Sequence, residues 1–565
     1  MYYIRSLFFS SILVFATCVW TKAQTPDMCG TDIERKKLIE SHPEILQREA
    51  NFDKLAAARL TSIMRIEDET LIIPVVFHII HDYGSENISD AQVIDAMENI
   101  NADFRGTNVD FLATIPEYAD IAADLNIEFR LAQRELSGGC TNGIDRIASL
   151  RTYEGSDAAK LGGWQSGKYL NIWVTKDLTS GAAAYAYYPT SIAGLMYTVD
   201  GIIARHDYVG TIGTAGSYAI HVLSHEIGHY LNLQHVWGNS NAPGVACGDD
   251  QVPDTPMTEG WTSCNIYGNT CGGAVDNVQN HMEYSYCSTM FTEGQKARVY
   301  AALESEDAMR NNLYTPGNLA LTGTADGYVA SGCVPKADFY ASDRILCNGN
   351  STTFHDVSFN APVVSRLWEF EGGVPATSTE LNPIVNYSTE GWHTVKLTVT
   401  NENGSNTKIF ENYLNVSKSD AIYDATYFAD FNDVNAFSPL LMEKAADFML
   451  KYADHLHYIA TKINIIYKFK PNSAARPIEP SRLFSPKSLV LVSRLEYPDL
   501  FKSCLSLIYA TYIDRRHSSD NHQLETIISN LLTIHVPAAG TATLFSFTLG
   551  SIDADRHWLQ STASL

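Results

Sequence analysis

The pattern of apolar and polar positions changes its period several times along the first 230 residues. Residues 33–57 are charged and helix-prone, with little β character. Residues 71–81 then form an almost unbroken apolar run, LIIPVVFHIIH, which predicts a buried strand. Residues 89–105 follow a helical period, with Val93, Met97 and Ile100 on one face and a capping box formed by Ser89 and Gln92. A strand followed by an amphipathic helix predicts the start of a layered sheet-and-helix domain.

Further short apolar runs predict more strands of the same sheet at residues 127–133, 170–176 and 201–204. Another helix is expected to begin near Tyr218. The fold class predicted for this part of the chain is therefore α+β, a twisted sheet with an active-site helix packed on it.

Two more changes of pattern follow. From residue 335 to 417, short alternating runs such as residues 395–399 are separated by Gly, Asn and Ser turns, which predicts a β-sandwich. In the last 145 residues only Gly540 and Gly550 remain of the 36 glycines, where proportional sharing would put about nine. Residues 420–565 are therefore treated as a separate tail, to which the sequence assigns no function.

Length and charge set the broad class. The chain has 565 residues, which predicts three or four globular units, and its formal charge is −24 from 40 basic and 64 acidic residues. Such a charge repels phosphate backbones, so nucleic acid is not expected as a partner. A protein or peptide partner fits this class better.

The N-terminus has the features of a secretory signal. Arg5 precedes an apolar stretch at residues 7–19, and small residues flank Lys22. We predict a signal peptide at residues 1–23, because the stretch is shorter than the ~20 residues that a membrane span needs. Lipidation at Cys18 is an alternative that the preceding residues fit poorly. Residues 24–70 are then a pro-segment, and the protein is expected to be secreted or at the cell surface, with no transmembrane span.

The most informative stretch is HVLSHEIGHYLNLQHVWG, residues 221–238. A spacing of four places His225 and His229 on one helix face, where two imidazoles can share one ion. Glu226 is placed to act as general base on a zinc-activated water and to pass the proton to the leaving amine. His235 is the predicted third ligand, and the chain must turn back after Leu231 to bring it there.

Asn232 lies where that turn needs a left-handed residue, a conformation that Asn tolerates well. The bland alternative is a helix that carries several core or surface histidines. With 17 histidines in the chain, a chance HExxH followed by a third histidine at this offset is expected in roughly one such chain in a thousand. A different zinc hydrolase with a downstream Glu as third ligand is disfavoured by His235.

This stretch resembles the metzincin zinc signature HExxHxxGxxH, with Asn232 in the usual Gly place. The segments after it, CGDDQVPDTP at 247–256, NHMEYS at 280–285 and MFTEGQ at 290–295, are similar to the pappalysin and cytophagalysin family of metzincins. The resemblance spans residues 71–313. It implies that Met282 is the Met-turn residue beneath the zinc and that Tyr284 stabilises the oxyanion of the tetrahedral intermediate. No acid lies between Ser285 and Met290, so a Lys/Arg cleavage preference is not expected.

The same resemblance implies two disulfides, Cys247 with Cys271 and Cys264 with Cys287, where sequence alone permits three connectivities. It also suggests a calcium site at the acidic loop of Asp249, Asp250 and Asp254, although such runs are often only solvated. Cys333 and Cys347 are close enough in sequence to predict a short staple.

Nine cysteines remain after the signal, so at least one is unpaired. Cys29, in the pro-segment, is a candidate cysteine switch, whose thiolate would occupy the fourth zinc position as in some relatives. Alternatively Cys29 pairs with Cys140 or is simply free, with Cys504 as the unpaired residue.

Residues 335–417 resemble a PKD domain through the spacing of their aromatic and turn residues, such as Phe339, Trp368 and Tyr387. Trp368 is expected in its core, and its task, surface or matrix contact or spacing, stays open. The predicted function is a secreted zinc endopeptidase made as a zymogen. The rival is a catalytically inactive surface-binding protein that acts through the PKD-like domain, which the intact Glu226 and three histidines disfavour.

Overall fold

The computed structural model describes residues 29–61, 69–194, 197–238 and 242–417, and three short strands beyond them. The predicted signal peptide, Cys18 and Cys504 lie outside the described residues, as does most of the tail. The chain divides into two compact units, Met1–Val416 and Ser417–Leu565.

The part of the first unit that precedes residue 323 contains six strands and eight α-helices among the described residues. The strands are β1 Leu71–His81, β2 Ile127–Leu131, β3 Ile144–Ala148, β4 Leu170–Thr175, β5 Ala184–Ala186 and β6 Ile202–Arg205. The helices are α1 Thr31–Ser41, α2 Ile45–Thr61, α3 Asp90–Phe104, α4 Pro116–Ala119, α5 Pro189–Ile192, α6 Val222–Tyr230, α7 Glu293–Glu304 and α8 Pro316–Thr322.

Strand β1 is the centre of the sheet. Every one of its residues is buried, as its apolar sequence predicts. It pairs in parallel with β4 on one side and with β2 and then β3 on the other, so the order across the sheet is β2-β1-β4-β6-β5, with β3 beside β1. Strand β5 pairs antiparallel with β6 and forms one edge. The predicted α+β class is confirmed.

Helix α3 begins as predicted, but its capping box is only half formed. Ser89 accepts the Gln92 backbone N–H at 3.2 Å. The Gln92 side chain turns away and donates to the carbonyls of His206 and Val209. The side chain predicted to cap the helix instead ties it to the loop after β6, because buried carbonyls there need a donor.

Helix α6 packs under the sheet through Leu223, Ile227 and Tyr230, which belong to the same core as the inward residues of β1 and α3. A 3₁₀ turn at Ser217–Ala219 comes first, so the α-helix itself begins four residues later than predicted. Helices α1 and α2 of the predicted pro-segment follow directly from Cys29, whose backbone bridges in parallel to Ala184 in edge strand β5.

The region after residue 335 is the predicted β-sandwich. Its strands are β7 Phe339–Ala341, β8 Ile345–Cys347, β9 Ser351–Asp356, β10 Ser365–Phe370, β11 Gly373–Val374, β12 Thr377–Ser378, β13 Ile384–Tyr387, β14 Gly391–Asn401 and β15 Gly404–Ser417. They form one sheet of order β12-β10-β14-β15-β8 and another of order β11-β13-β9-β7. Trp368 is fully buried between them and donates its indole N–H to Glu380, so it is a core residue as expected.

The disulfides correct one prediction. Cys247 is bonded to Cys271 and Cys264 to Cys287, the pairing that the family resemblance implied. Cys333 is bonded to Cys140, 193 positions away, and the expected Cys333–Cys347 staple is wrong. Cys347 ends strand β8 with its side chain exposed and free. Proximity in sequence misled because Cys347 is exposed at the end of β8, whereas Cys333 bonds to Cys140 of the sheet domain.

In the second unit the described residues are the strands β16 Ser488–Leu491, β17 Phe545–Thr548 and β18 Gln560–Ala563, paired antiparallel in that order. Among the helices of the described residues, none has both the length and the apolar character needed to cross a membrane.

Candidate metal centre and active site

Helix α6 presents His225, Glu226 and His229 from the middle of its buried surface. All three side chains are nearly inaccessible, with Glu226 only 1% exposed. The spacing of four residues places the two imidazole rings 4.7 Å apart, centroid to centroid. This is the side-by-side arrangement that the sequence predicted.

The chain reverses immediately after α6. Asn232 has φ of 69°, the left-handed conformation predicted for it. The Leu233 N–H returns to the Gly228 carbonyl at 2.8 Å, and Arg298 donates to the Asn232 carbonyl. The turn carries His235 back to the two helix histidines, where it is fully buried.

The three imidazoles converge through their Nε2 atoms. The His225–His229 and His229–His235 separations are 3.1 Å, and the His225–His235 separation is 3.2 Å. Tetrahedral zinc with Zn–N bonds of ~2.0–2.1 Å requires ligand nitrogens about 3.3 Å apart. The triangle of nitrogens therefore fits one zinc ion with very little movement.

The outward nitrogens fix the orientation of each ring. Nδ1 of His225 donates to the His281 carbonyl at 2.7 Å, and Nδ1 of His229 to the Leu233 carbonyl at 2.8 Å. Nδ1 of His235 lies 2.9 Å from the Asp32 carboxylate. Such acceptors hold the tautomer that leaves Nε2 free as a ligand.

The protonation states also suit a metal. Burial lowers the pKa of His225 to about 3 and that of His229 well below its usual value, and the neighbouring His235 adds to both shifts. The rings are then neutral at physiological pH, with lone pairs available to a cation.

Glu226 lies beside this triangle and is the predicted proton acceptor. Burial raises its pKa to about 8, while hydrogen bonds from Cys29 and Thr31 act in the opposite direction. The Thr31 hydroxyl donates to Oε2 at 3.3 Å. In this state the carboxyl group of Glu226 is held by the Thr31 hydroxyl and shielded from solvent.

Cys29 lies next to the three histidines as a fourth group that could bind a metal. Its Sγ lies within 4.8 Å of the ligand nitrogens of His225, His229 and His235, and the four residues form one buried cluster of metal-ligating groups. Burial, with the nearby Glu226 charge, raises the pKa of the Cys29 thiol well above its usual value. Its thiolate is therefore favoured only next to a cation.

Met282 and Tyr284 flank the centre. Met282 is fully buried beneath α6, so close to Gly228 that a Cβ there would meet its Sδ at 2.3 Å. The Tyr284 hydroxyl donates to the Cys29 carbonyl at 3.1 Å, and its ring contacts His235 edge to face. Tyr284 thus already donates to a peptide carbonyl beside the histidines.

Two neighbours of His235 were not found by sequence reasoning. Trp237 stacks on the imidazole with ring centroids 4.4 Å apart and planes 4° from parallel. Asp32, in the predicted pro-segment, binds its Nδ1. Trp237 could have been found from the sequence, because it lies two residues after the third histidine. Asp32 is 203 positions from His235, and no sequence signal indicated the contact.

The carboxylates of the acidic loop accept hydrogen bonds from groups near them, and the calcium site expected there stays a prediction. Asp254 accepts the Gly294 N–H at the start of α7, Asp250 accepts from Val252 and Thr255, and Asp249 accepts from Gln251. In the described ranges the clusters of metal-ligating side chains are the Cys29 cluster and one formed by Asp103, His221 and His281. The loop carboxylates serve as acceptors for their own turns and for a helix start.

Three family models match the chain. The model described as pregnancy-associated plasma protein-A matches residues 153–304, and the PKD domain model matches residues 336–413. A third, the DENN (AEX-3) domain, matches residues 484–560, where only β16, β17 and β18 are described.

Several known proteins that resemble the chain are metalloproteases. An extracellular metalloprotease of Neurospora crassa is 28% identical over 284 residues, covering 48% of this chain and 87% of that protein. One from Verticillium alfalfae is 29% identical, covering 41% and 75%. The structure of Tannerella forsythia mature mirolysin in complex with a cleaved peptide matches at 30% identity and a TM-score of 0.42, covering 45% of this chain and 99% of that one. The chain belongs to the pappalysin-type family of metalloproteases and carries a PKD domain after its catalytic domain.

Proposed function

We propose that this protein is a secreted zinc endopeptidase that is made as an inactive precursor. The observation that carries the proposal is the triangle of Nε2 atoms from His225, His229 and His235, 3.1–3.2 Å apart, with Glu226 beside it. The fit of this triangle to tetrahedral zinc supports the identity of the metal. When bound, zinc supplies a Lewis acid that polarises a carbonyl and lowers the pKa of water.

The protein's own groups perform the proton transfers. Glu226 accepts a proton from the attacking water and returns it to the leaving amine, a role that its position next to the ligand His225 supports. Tyr284 donates a hydrogen bond to the oxygen on which charge develops. Its hydrogen bond to the Cys29 carbonyl supports this role, because the hydroxyl already donates to a peptide carbonyl next to the three histidines.

The pro-segment blocks the centre at three points. Cys29 caps the histidines, and Thr31 binds both Glu226 and the Ala186 backbone of edge strand β5. The Gly30 N–H donates to the Ala184 carbonyl at 2.9 Å. An extended substrate would pair with the same edge of β5, so Gly30 and Thr31 exclude it from that edge. Cys29 in turn excludes water from the histidines.

Location and partners follow from the sequence and the relatives. Two curated relatives are named extracellular metalloproteases, and an apolar stretch at residues 7–19 precedes the pro-segment. The substrate is a protein or peptide, and the net charge of −24 opposes nucleic-acid binding. We assign the PKD domain a contact with the cell surface or matrix, where it would hold the enzyme near its substrates.

The test is the substitution Glu226→Ala, measured after removal of the pro-segment. Because the three imidazoles remain, the variant is expected to keep one equivalent of zinc and its melting temperature. Without the proton acceptor, casein digestion should fall by a factor on the order of 10²–10⁴. Glu402→Ala, at an exposed carboxylate in the sandwich, is the matched control and should keep full activity. Activity above a few per cent in Glu226→Ala would remove Glu226 from this role.

A further inference from the structure

We propose that Asp103, His221 and His281 form a second site for a divalent transition-metal ion, separate from the Cys29 cluster. Each residue offers one ligand atom, and the three atoms lie within 4.8 Å of one another. Nδ1 of His221 lies 2.8 Å from Oδ2 of Asp103, and Nε2 of His281 lies 3.8 Å from Oδ1 of the same carboxylate. The two imidazole rings are 4.8 Å apart, centroid to centroid.

The cluster holds polar atoms whose bonding capacity is unused. Asp103 and His281 are each 1% exposed. Oδ1 of Asp103 and both ring nitrogens of His281 make no hydrogen bond of normal geometry, although the Thr289 backbone lies close to the ring. Because buried polar groups in folded proteins normally have hydrogen-bond partners, the arrangement leaves room for a partner between the carboxylate and the ring.

The three residues come from well-fixed elements. Asp103 lies in the last turn of α3, and the Ser224 hydroxyl donates to its Oδ2 at 2.6 Å. His221 is the residue immediately before α6, and His281 precedes Met282. The His281 carbonyl also holds Nδ1 of His225, so one residue links the second site to the first by its backbone.

Two residues of this cluster border the cleft that contains His225 and Glu226. His221 and His281 line the same cleft as His225, Glu226, Tyr284 and the exposed Tyr286. A cation held there would lie on the wall of the cleft that serves the first centre. The second site stands on its own residues and does not depend on the proposed peptidase function.

The chemistry of the three ligand groups predicts which ions the site binds. Two imidazoles and one carboxylate favour zinc, cobalt, nickel or copper over calcium and magnesium, which prefer sites made of oxygen alone. Three protein ligands leave at least one coordination position open to water or a ligand in the cleft.

The experiment counts zinc in the full chain. The protein is equilibrated with excess zinc, freed of loosely bound metal by gel filtration, and analysed by plasma mass spectrometry. The wild-type chain should hold two equivalents, and His221→Asn and His281→Asn should each hold one. His42→Asn, at an exposed histidine of the pro-segment, is the control and should hold two.

Crystals of the wild-type chain grown with zinc give an independent reading. An anomalous difference map at the zinc edge should show one peak among Asp103, His221 and His281 and another at the Cys29 cluster. A map with a peak among Asp103, His221 and His281 but none at the Cys29 cluster would contradict the proposed peptidase metal and leave this proposal standing. A single equivalent whose anomalous peak lies at the Cys29 cluster, two equivalents retained by both variants, or a water in place of the peak among Asp103, His221 and His281 would overturn the proposal. Where a variant fails to fold, the wild-type map decides.

Discussion

At the scale of single residues, the active site is defined by what the outward atoms of its histidines bind. His225 and His229 donate to backbone carbonyls of the catalytic domain, but the acceptor for His235 is Asp32 of the predicted pro-segment. Under the proposed function, removal of the pro-segment takes away a thiol and the carboxylate that orients His235. The stacked Trp237 remains to hold the His235 ring.

Cys29→Ala tests whether the thiol maintains latency. We expect the full-length secreted variant to digest casein without removal of residues 24–70, because water can then reach the histidines beside Glu226. The unmutated precursor should show a Zn–S distance near ~2.3 Å by X-ray absorption.

The matched control is Cys347→Ala, since Cys347 is also free but exposed in the sandwich. It should leave the precursor latent. A fully latent Cys29→Ala chain, or a zinc shell of nitrogen and oxygen only, would contradict the switch and leave blocking by Thr31 and the strand edge as the explanation.

At the scale of elements, the positions of the three histidines depend on how α6 packs against the segment that contains Met282. Gly228 allows Met282 to lie directly against the helix between the two histidine turns. The left-handed Asn232 then returns the chain so that its own carbonyl is held by Arg298 of α7. Helix, turn and Met282 segment form one packed block, because none of them can shift without moving a histidine.

Gly228→Ala should disturb this block. The added Cβ would lie 2.3 Å from Met282 Sδ, and the buried Met282 has little room to move. Overpacking of this kind costs about 1–3 kcal/mol, so we expect a lower melting temperature and weaker zinc retention.

Gly317→Ala provides the control, because a Cβ at this helical position meets nothing within 4 Å. It should change stability by less than about 1 kcal/mol. Both variants are best compared in the Glu226→Ala background, where self-digestion cannot distort the melting curves. Equal melting temperatures and zinc contents for the two variants would show that the Met282 contact is not critical.

At the scale of the whole molecule, the PKD domain is fastened to the sheet domain. The Cys140–Cys333 disulfide joins them across 193 positions. Tyr83 stacks on Tyr340, and Lys336 pairs with Glu135 at 3.0 Å. The sandwich is therefore attached as a fixed neighbour of the catalytic domain within the first unit.

Peptide mapping without reduction tests this connection. The protein should yield a linked peptide pair that contains Cys140 and Cys333, and Cys347 should react with an alkylating reagent before unfolding because it is exposed. Cys140→Ser should lower stability by about 2–5 kcal/mol, the usual cost of losing a native disulfide. A linked pair of Cys333 and Cys347 would contradict the connectivity of the structure.

The tail gives a second prediction at this scale. Its glycine content differs so strongly from the rest that we expect residues 420–565 to be dispensable for catalysis, and to reflect a fusion or a change of reading frame. A chain that ends at Ser419 should digest casein at the rate of the longer one after both are activated. A folded but inactive shorter chain would make the tail part of the enzyme.

The sequence by itself determined much of this protein. The apolar run of β1, the period of α3, the four-residue spacing of His225 and His229 and the left-handed Asn232 were all predictable, because each depends on residues that are neighbours in the chain. The alternating runs predicted the sandwich for the same reason. The family resemblance supplied the Met282 segment and two disulfide pairings.

Only the tertiary structure decided the rest. The acceptor of His235 comes from Asp32, the partner of Cys333 is Cys140, and Asp103 meets His281 across 178 positions of the chain. The Gln92 side chain, predicted to cap its own helix, binds carbonyls after β6 instead. Local patterns carry no information about such pairs, because burial selects partners by distance in space, and a buried donor or acceptor takes whichever partner the packed core brings within reach.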